Sequence, residues 1–353
     1  MRVVQFLCPQ KGRRVGLVDG DVVRDLTAAN NAFASVYDIF QLAIRQGQSF
    51  ESLLTEAGEA DGVELCAYES LLAAQPHGSQ PFLLPAVDHA DLHRVLITGT
   101  GLTHTGSMKS RDDMHGGSAE KDDEPQADSK LTDSAKMFRM GLEGGKPADG
   151  KRGVAPEWFY KGNGANLRGY RASLELPAFA QDGGEEPELV GCYIIDENGT
   201  PRRLGFALGN EWSDHATENV NYLYLAPSKL RTCAVGPELI TDFDFSSVSL
   251  RCHVQRGAET IYDSGELFSG EEHMSHSLAN CEDHHFKYGQ HRQPGDVHLH
   301  YFGTSKLSYG NRDWKYRDGD EIRIEAPSFS AALVNTVRAG NTQEAEPVRV
   351  VKA

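Results

Sequence analysis

From Arg94 onward the chain is a succession of short apolar runs, each broken by turn residues before it reaches helical length. The runs are RVLITGTGL (94–102), ELVGCYIID (188–196), RRLGFALGN (202–210), SVSLRCHVQR (247–256), DVHLHYFGT (296–304) and DEIRIEAP (320–327). Runs this short, rich in Val, Ile and aromatic residues and bounded by Gly, Pro, Asn and Asp, read as strands. Residues 91–353 are therefore expected to form a β-rich domain. Ahead of it, VVQFL (3–7), RRVGLVDGDVVRDL (13–26) and the helical SVYDIFQLAIRQ (35–46) predict a small α/β unit over residues 1–90, which ends near QPFLLPAVDHADLHR. The Asp19-Gly20 pair between two Val-rich runs signals a hairpin. The fold class is α+β, with strands predominating in the C-terminal part. No internal repeat is present. Residues 109–153 are rich in charge and glycine around one helical stretch, LTDSAKMFRMGL. A polar insertion of that length is either unstructured or a lid over a site.

The 353-residue length allows one large or two moderate domains with a real core. A net charge of −16 argues against nucleic acid or an anionic membrane as partner, since both require a basic face. No run of about 18 apolar residues exists to span a bilayer. The N-terminal MRVVQFLCPQKGRRVGLVDG lacks the apolar centre of a signal peptide. The 6 cysteines are scattered without a C-x-x-C pair, which fits reduced thiols and a cytoplasmic location.

One short region concentrates ligand-type side chains. In GGEEPELVGCYI (183–194), Glu186 and Glu188 stand two apart at the start of a strand, so both carboxylates share a face. Two like charges side by side without a local Lys or Arg are costly unless a cation sits between them. The alternative is a charged strand end in solvent. A hairpin across Asn198-Gly199 returns the chain along RRLGFALGNEWSD and brings Glu211 back toward the pair. Three carboxylates with no soft ligand suit Mg²⁺, Mn²⁺ or Ca²⁺ rather than Zn²⁺.

The order of these pieces resembles the fumarylacetoacetate hydrolase family. The motifs that carry the resemblance are Glu186-x-Glu188, GNEWS (209–213), SKLRTCAVGP (228–237), QPGDV (293–297), YFGTS (301–305) and DGDEIRIE (318–325), with WFYKGNG (158–164) upstream. The N-terminal GRRVGLVDGDVVRDL is similar to that family's small first domain. The resemblance implies a β-sandwich or roll in the C-terminal domain and a homodimer formed through it. It implies a divalent metal on Glu186, Glu188 and Glu211 that holds a 2-oxo acid. Glu211 is one methylene longer than the family's aspartate. Lys229 matches the lysine beside the metal, and Lys161 lies in the upstream segment. Thr304 matches a threonine that contacts the substrate carboxylate, with Ser305 where a proline is usual. His215 stands near the position of a family arginine.

The family's hydrolases activate water with a His–Glu pair. Here the corresponding segment is GLTHTGSM (101–108), with His104 in place and Ser107 where the glutamate belongs. Without a carboxylate, a water-activating histidine loses its orienting and charge-stabilising partner. Asp112 in the insertion is a possible substitute. The metal equally supports loss of water from a 2-oxo-3-deoxy sugar acid: chelation acidifies C3, an enolate forms, and the C4 hydroxyl leaves. His104, Lys229 and Lys161 are candidate bases. The chain is most similar to the sugar-acid branch, which includes dehydratases of 2-oxo-3-deoxy-arabinonate. Two other readings are a C–C hydrolase of acylpyruvates and a non-catalytic sugar-acid binder. The histidine-rich HHFKYGQHRQPGDVHLH (284–300) is read as surface or substrate-lining rather than as a zinc site. Trp212, Cys192 and Cys233 are read as core.

Overall fold

The computed structural model describes residues 1–114, 131–148 and 150–353. Among the described residues the strands gather into two sheets, one of thirteen strands and one of five. Every strand-like run named above from Arg94 onward forms a strand. The architecture is mixed α/β with large sheets, as expected. No helix among the described residues is long and apolar enough to cross a membrane.

The N-terminal hairpin forms where the Asp-Gly signal predicts it. Asp19 pairs with Val22, and Gly20 takes the left-handed conformation (φ 58°) that the tight turn requires. The helix Val36–Gln46 is capped by Ser35, whose side chain accepts from the Asp38 N–H. Its Val36, Ile39, Phe40 and Ala43 recur at helical spacing and are buried in the core. These N-terminal strands do not make a separate sheet. Arg2–Cys8 pairs antiparallel with Glu238–Ile240, through Val3 and Leu239, so the first 90 residues extend the large sheet.

The strand that leads to the site is Pro187–Ile195, buried along its whole length. Its Val190, Cys192 and Ile194 face one core, while Leu189 faces the second core between the two sheets. Burial on both faces explains why the run is continuously apolar rather than alternating. It pairs on one side with Pro201–Asn210 and on the other with Val297–Tyr301. The connecting hairpin turns where the Asn198-Gly199 signal places it: one Asp196 carboxylate oxygen accepts from both the Asn198 and Thr200 N–H groups.

The helical stretch expected in the polar insertion is the helix Asp133–Gly144, capped by Thr132. Residues 115–130 and 149 of the candidate lid, and the Asp112 side chain, lie outside the described part.

Candidate active site

The hairpin delivers its three glutamates to one point. Glu188 lies opposite Gly209 in the ladder. Beyond the ladder the two arms stay joined, with the Glu211 N–H donating to the Glu186 carbonyl at 3.0 Å and the Ser213 N–H to the Gly184 carbonyl at 3.0 Å. Glu186, Glu188 and Glu211 are all buried, and each offers an oxygen within 4.8 Å of the others'. They are the one such group of potential metal ligands among the described residues. Solvent exposure of a strand end is thereby excluded.

Two lysines share this buried volume. Lys229, on the short helix Leu225–Lys229, places Nζ 2.5 Å from Glu186 Oε1 and 3.0 Å from Glu211 Oε1. Lys161 belongs to the strand Glu157–Asn163, whose alternation points Glu157, Phe159 and Lys161 inward. Its Nζ donates to the Trp212 and Lys229 carbonyls at 2.5 and 2.9 Å and lies 3.7 Å from Glu211 Oε1. The Phe159 ring lies under Lys229, 4.6 Å from Nζ to centroid. Gly99 makes room for this packing: a Cβ there would meet Phe159 Cζ at 2.6 Å and Glu211 Oε2 at 3.2 Å.

The electrostatics are unbalanced. Burial and the neighbouring Glu211 and Glu186 push Glu188 well above the usual carboxylate range. Burial and Glu186 also raise Glu211. Burial alone would raise Glu186, but Lys229 and His215 overcome it and hold that carboxylate well down. Burial alone would lower Lys229, but Glu186 and Glu211 keep it up. Lys161 is lowered, chiefly by burial. Meanwhile Glu188 Oε1 and Glu211 Oε2 have no hydrogen-bond partner among the described residues. Unpartnered buried carboxylate oxygens are expensive, and two of them in an all-oxygen donor set fit a hard divalent cation.

The remaining sequence candidates surround this centre. His215 Nε2 lies 3.1 Å from Glu186 Oε1, so it contacts one of the three clustered carboxylates. The other Glu188 oxygen accepts from the Gly303 N–H at 2.7 Å. The Thr304 hydroxyl donates to the Lys306 carbonyl at 2.9 Å within its own loop. The neighbouring Ser305 carbonyl would stand 2.0 Å from a Cβ at Gly106, so the loop lies tight against the start of the helix Thr105–Met114. His104 is buried at the foot of that helix. The Ser107 hydroxyl bonds back to the His104 carbonyl at 2.9 Å rather than to its ring. His104 is pushed down to about 3, first by burial and then by His273, and is a neutral imidazole at physiological pH.

Glu185, beside the cluster, is a buried carboxylate that the sequence reading passed over. It is fully buried and accepts from the Ser308 N–H at 2.7 Å, the Ser308 hydroxyl at 2.8 Å and the Tyr316 hydroxyl at 2.7 Å. It thereby pins the loop that carries Gly303, Thr304 and Ser305. The only signal was a third acidic residue in GGEEPE, on the opposite parity to Glu186 and Glu188.

The histidine-rich segment is corrected in one respect: His285, His298 and His300 are buried, not at the surface. The Trp158 indole N–H donates to His285 Nδ1 at 3.2 Å, His285 Nε2 meets His298 Nδ1 at 2.8 Å, and Thr98 meets His300 Nδ1 at 2.8 Å. Burial lowers His298 and His300 to about 3, so these are neutral core side chains. Trp212, Cys192 and Cys233 are core, as read.

No protein-family model matches the chain. A probable 2-keto-3-deoxyxylonate dehydratase of Haloferax volcanii is 25% identical over 139 residues, which cover 38% of this chain and 46% of that protein. The match thus spans about half of that relative. Among solved structures, the apo form of a 2-keto-3-deoxy-D-arabinonate dehydratase is 18% identical, with a TM-score of 0.65 over 97% of this chain and 100% of that one. A dehydratase of the same name, complexed with magnesium and 2,5-dioxopentanoate, gives a TM-score of 0.64 at 17% identity over 96% and 99%. A maleylpyruvate hydrolase from Sphingobium gives 0.53 at 16% identity over 96% and 100%. The protein has the fold of these enzymes, the one implied by the resemblance read from its sequence.

Proposed function

We propose that the protein is a divalent-metal-dependent dehydratase of a 2-oxo-3-deoxy sugar acid, in the sugar-acid branch of the fumarylacetoacetate hydrolase family. The observation that carries this reading is the buried Glu186–Glu188–Glu211 centre with two unpartnered oxygens, in a fold shared along nearly its whole length with 2-keto-3-deoxy-D-arabinonate dehydratase. Mg²⁺ is the first choice of ion, since it accompanies 2,5-dioxopentanoate in one such enzyme. Mn²⁺ and Ca²⁺ suit the same donors.

The three glutamates hold the ion, and His215 and Gly303 fix the orientation of Glu186 and Glu188. A cation bound there acts as a Lewis acid on the 2-oxo acid and makes the C3 protons removable. The lysines then divide the work. Lys161, lowered by burial, accepts the C3 proton at Nζ and returns it to the C4 hydroxyl as the C–O bond breaks, so that the group leaves as water. Its two bonds to the Trp212 and Lys229 carbonyls hold Nζ in place. Lys229 stays an ammonium, holds Glu186 down and opposes the rise of Glu211. His104, too weak a base to hold a proton, positions a substrate hydroxyl by accepting its hydrogen bond, and Thr304 and Ser305 line the carboxylate end.

Dehydration is favoured over hydrolysis by a specific contact: among the described residues no carboxylate bonds His104, and the Ser107 hydroxyl is turned onto the helix backbone. Ser107→Glu is expected to lower dehydration, because a carboxylate added near the site repels an anionic substrate. If the protein is a hydrolase in need of its His–Glu pair, that variant instead raises acylpyruvate cleavage, read by loss of acylpyruvate absorbance. A homodimer is part of the proposal, and light scattering at micromolar concentration is expected to give twice the mass of one chain.

A further inference from the structure

The ring of His104 lacks the carboxylate that its position calls for, yet one of its nitrogens is held. We propose that Thr103 is the positioning residue for His104, through a hydrogen-bond chain that ends on Glu188 and takes the place of the glutamate absent at position 107. This inference rests on the dehydratase reading for its catalytic consequence and on geometry alone for the tautomer.

The Thr103 hydroxyl lies 2.9 Å from His104 Nδ1 and 2.8 Å from the Phe302 carbonyl oxygen. A hydroxyl has one hydrogen to give, and a carbonyl can only accept. No other donor among the described residues reaches the Phe302 carbonyl, and Phe302 is fully buried. A buried carbonyl left without a donor is costly, so the Thr103 hydrogen goes to it. The contact with His104 must then run the other way, with Nδ1–H donating to Thr103. The proton of the neutral ring is therefore on Nδ1, and Nε2 carries the lone pair. Nε2 is buried and meets no partner among the described residues, which leaves it free to accept from a substrate hydroxyl.

The chain continues through a single peptide unit. The carbonyl that receives the Thr103 hydrogen and the Gly303 N–H that binds Glu188 Oε2 at 2.7 Å belong to the same peptide. The order is His104 Nδ1–H to Thr103 Oγ1, Thr103 O–H to the Phe302 oxygen, and Gly303 N–H to Glu188. Every bond points the same way, so each polarises the next, and a metal-ligating carboxylate terminates the chain. The packing fixes it in place. The Thr103 carbonyl accepts from the Ser275 N–H at 2.8 Å. A Cβ at Gly303, where φ is 90°, would stand 2.2 Å from Thr103 Oγ1, so only glycine fits.

The test is nitrogen-resolved NMR of the full-length protein labelled with ¹⁵N-histidine, with the His104 signals identified by their absence in His104→Gln. The wild type is expected to show His104 protonated at Nδ1 and bare at Nε2, and Mg²⁺ should shift the Nδ1 signal. Thr103→Val should move the proton to Nε2 and lower kcat by about 10–100-fold, the range for outer-shell partners. KM and the calorimetric Mg²⁺ affinity should stay essentially unchanged, since a lost positioning contact acts on kcat. Thr103→Ser should restore both the tautomer and kcat. A wild-type His104 protonated at Nε2, or an Nδ1 proton that persists in Thr103→Val, overturns the inference even if the variant is poorly folded at higher temperature. Absence of dehydration in the wild type with the Nδ1 tautomer present overturns the dehydratase reading instead.

Discussion

Glu188→Gln is expected to abolish turnover and the stabilisation by Mg²⁺, while leaving the metal-free protein at least as stable as the wild type. The two effects have one cause. In the metal-free protein Glu188 is a buried carboxylate with one unpartnered oxygen, pushed well up first by burial and then by Glu211 and Glu186. A carboxyl whose folded-state pKa is raised binds more protons folded than unfolded. Its contribution to stability therefore falls as pH rises above the ordinary carboxylate range. Glutamine has nearly the same shape, keeps an oxygen for the Gly303 N–H, and removes that penalty. It cannot replace a charged oxygen ligand for a hard cation. Thermal unfolding checks both halves. At a Mg²⁺ concentration 100 times Kd the wild type should gain about 2.7 kcal/mol, and the variant should gain nothing. The gap in metal-free stability should narrow as the pH is lowered.

Lys229→Met is expected to have the opposite signature. Methionine fits the space over Phe159, but it leaves Glu186 and Glu211 without the ammonium that lies 2.5 and 3.0 Å from them. Removing one partner from a buried charge cluster costs about 3–5 kcal/mol. Urea unfolding of the metal-free variant should show a loss of that size, and Mg²⁺ should recover much of it, because the cation takes over the neutralisation. A lysine that merely packed would be replaced with little loss and no dependence on metal.

The contrast between these variants shows what was readable in advance. Glu186 and Glu188 were legible because strand periodicity fixes their common face, and Glu211 because Asn198-Gly199 and the apolar register fix the return of the hairpin. The N-terminal hairpin and the helix Val36–Gln46 were legible for the same local reasons. Contacts made across the fold were not. Nothing local to Lys229 shows that its ammonium will lie between two glutamates 43 and 18 positions away in the chain. The burial of Lys161 follows from the inward parity of an edge strand, which needs the sheet to be known. His104 reads from the sequence as lacking an orienting group because Ser107 stands three residues ahead, where the family keeps a glutamate. The group in contact is the preceding Thr103, and its direction is set by a carbonyl 199 residues away. The histidines at 285, 298 and 300 appeared polar enough for the surface, but sheet pairing and a tryptophan partner bury them.

The reaction proposed for this centre is the removal of water from a 2-oxo-3-deoxy sugar acid. The direct measurement is incubation of the purified protein with a panel of 2-oxo-3-deoxy-pentonates, with Mg²⁺ and after chelation, with products read by mass. The expected result is loss of one water from at least one member of the panel, dependence on the added cation, and acylpyruvates left essentially intact. Efficient cleavage of an acylpyruvate, with no loss of water from any sugar acid, would contradict it.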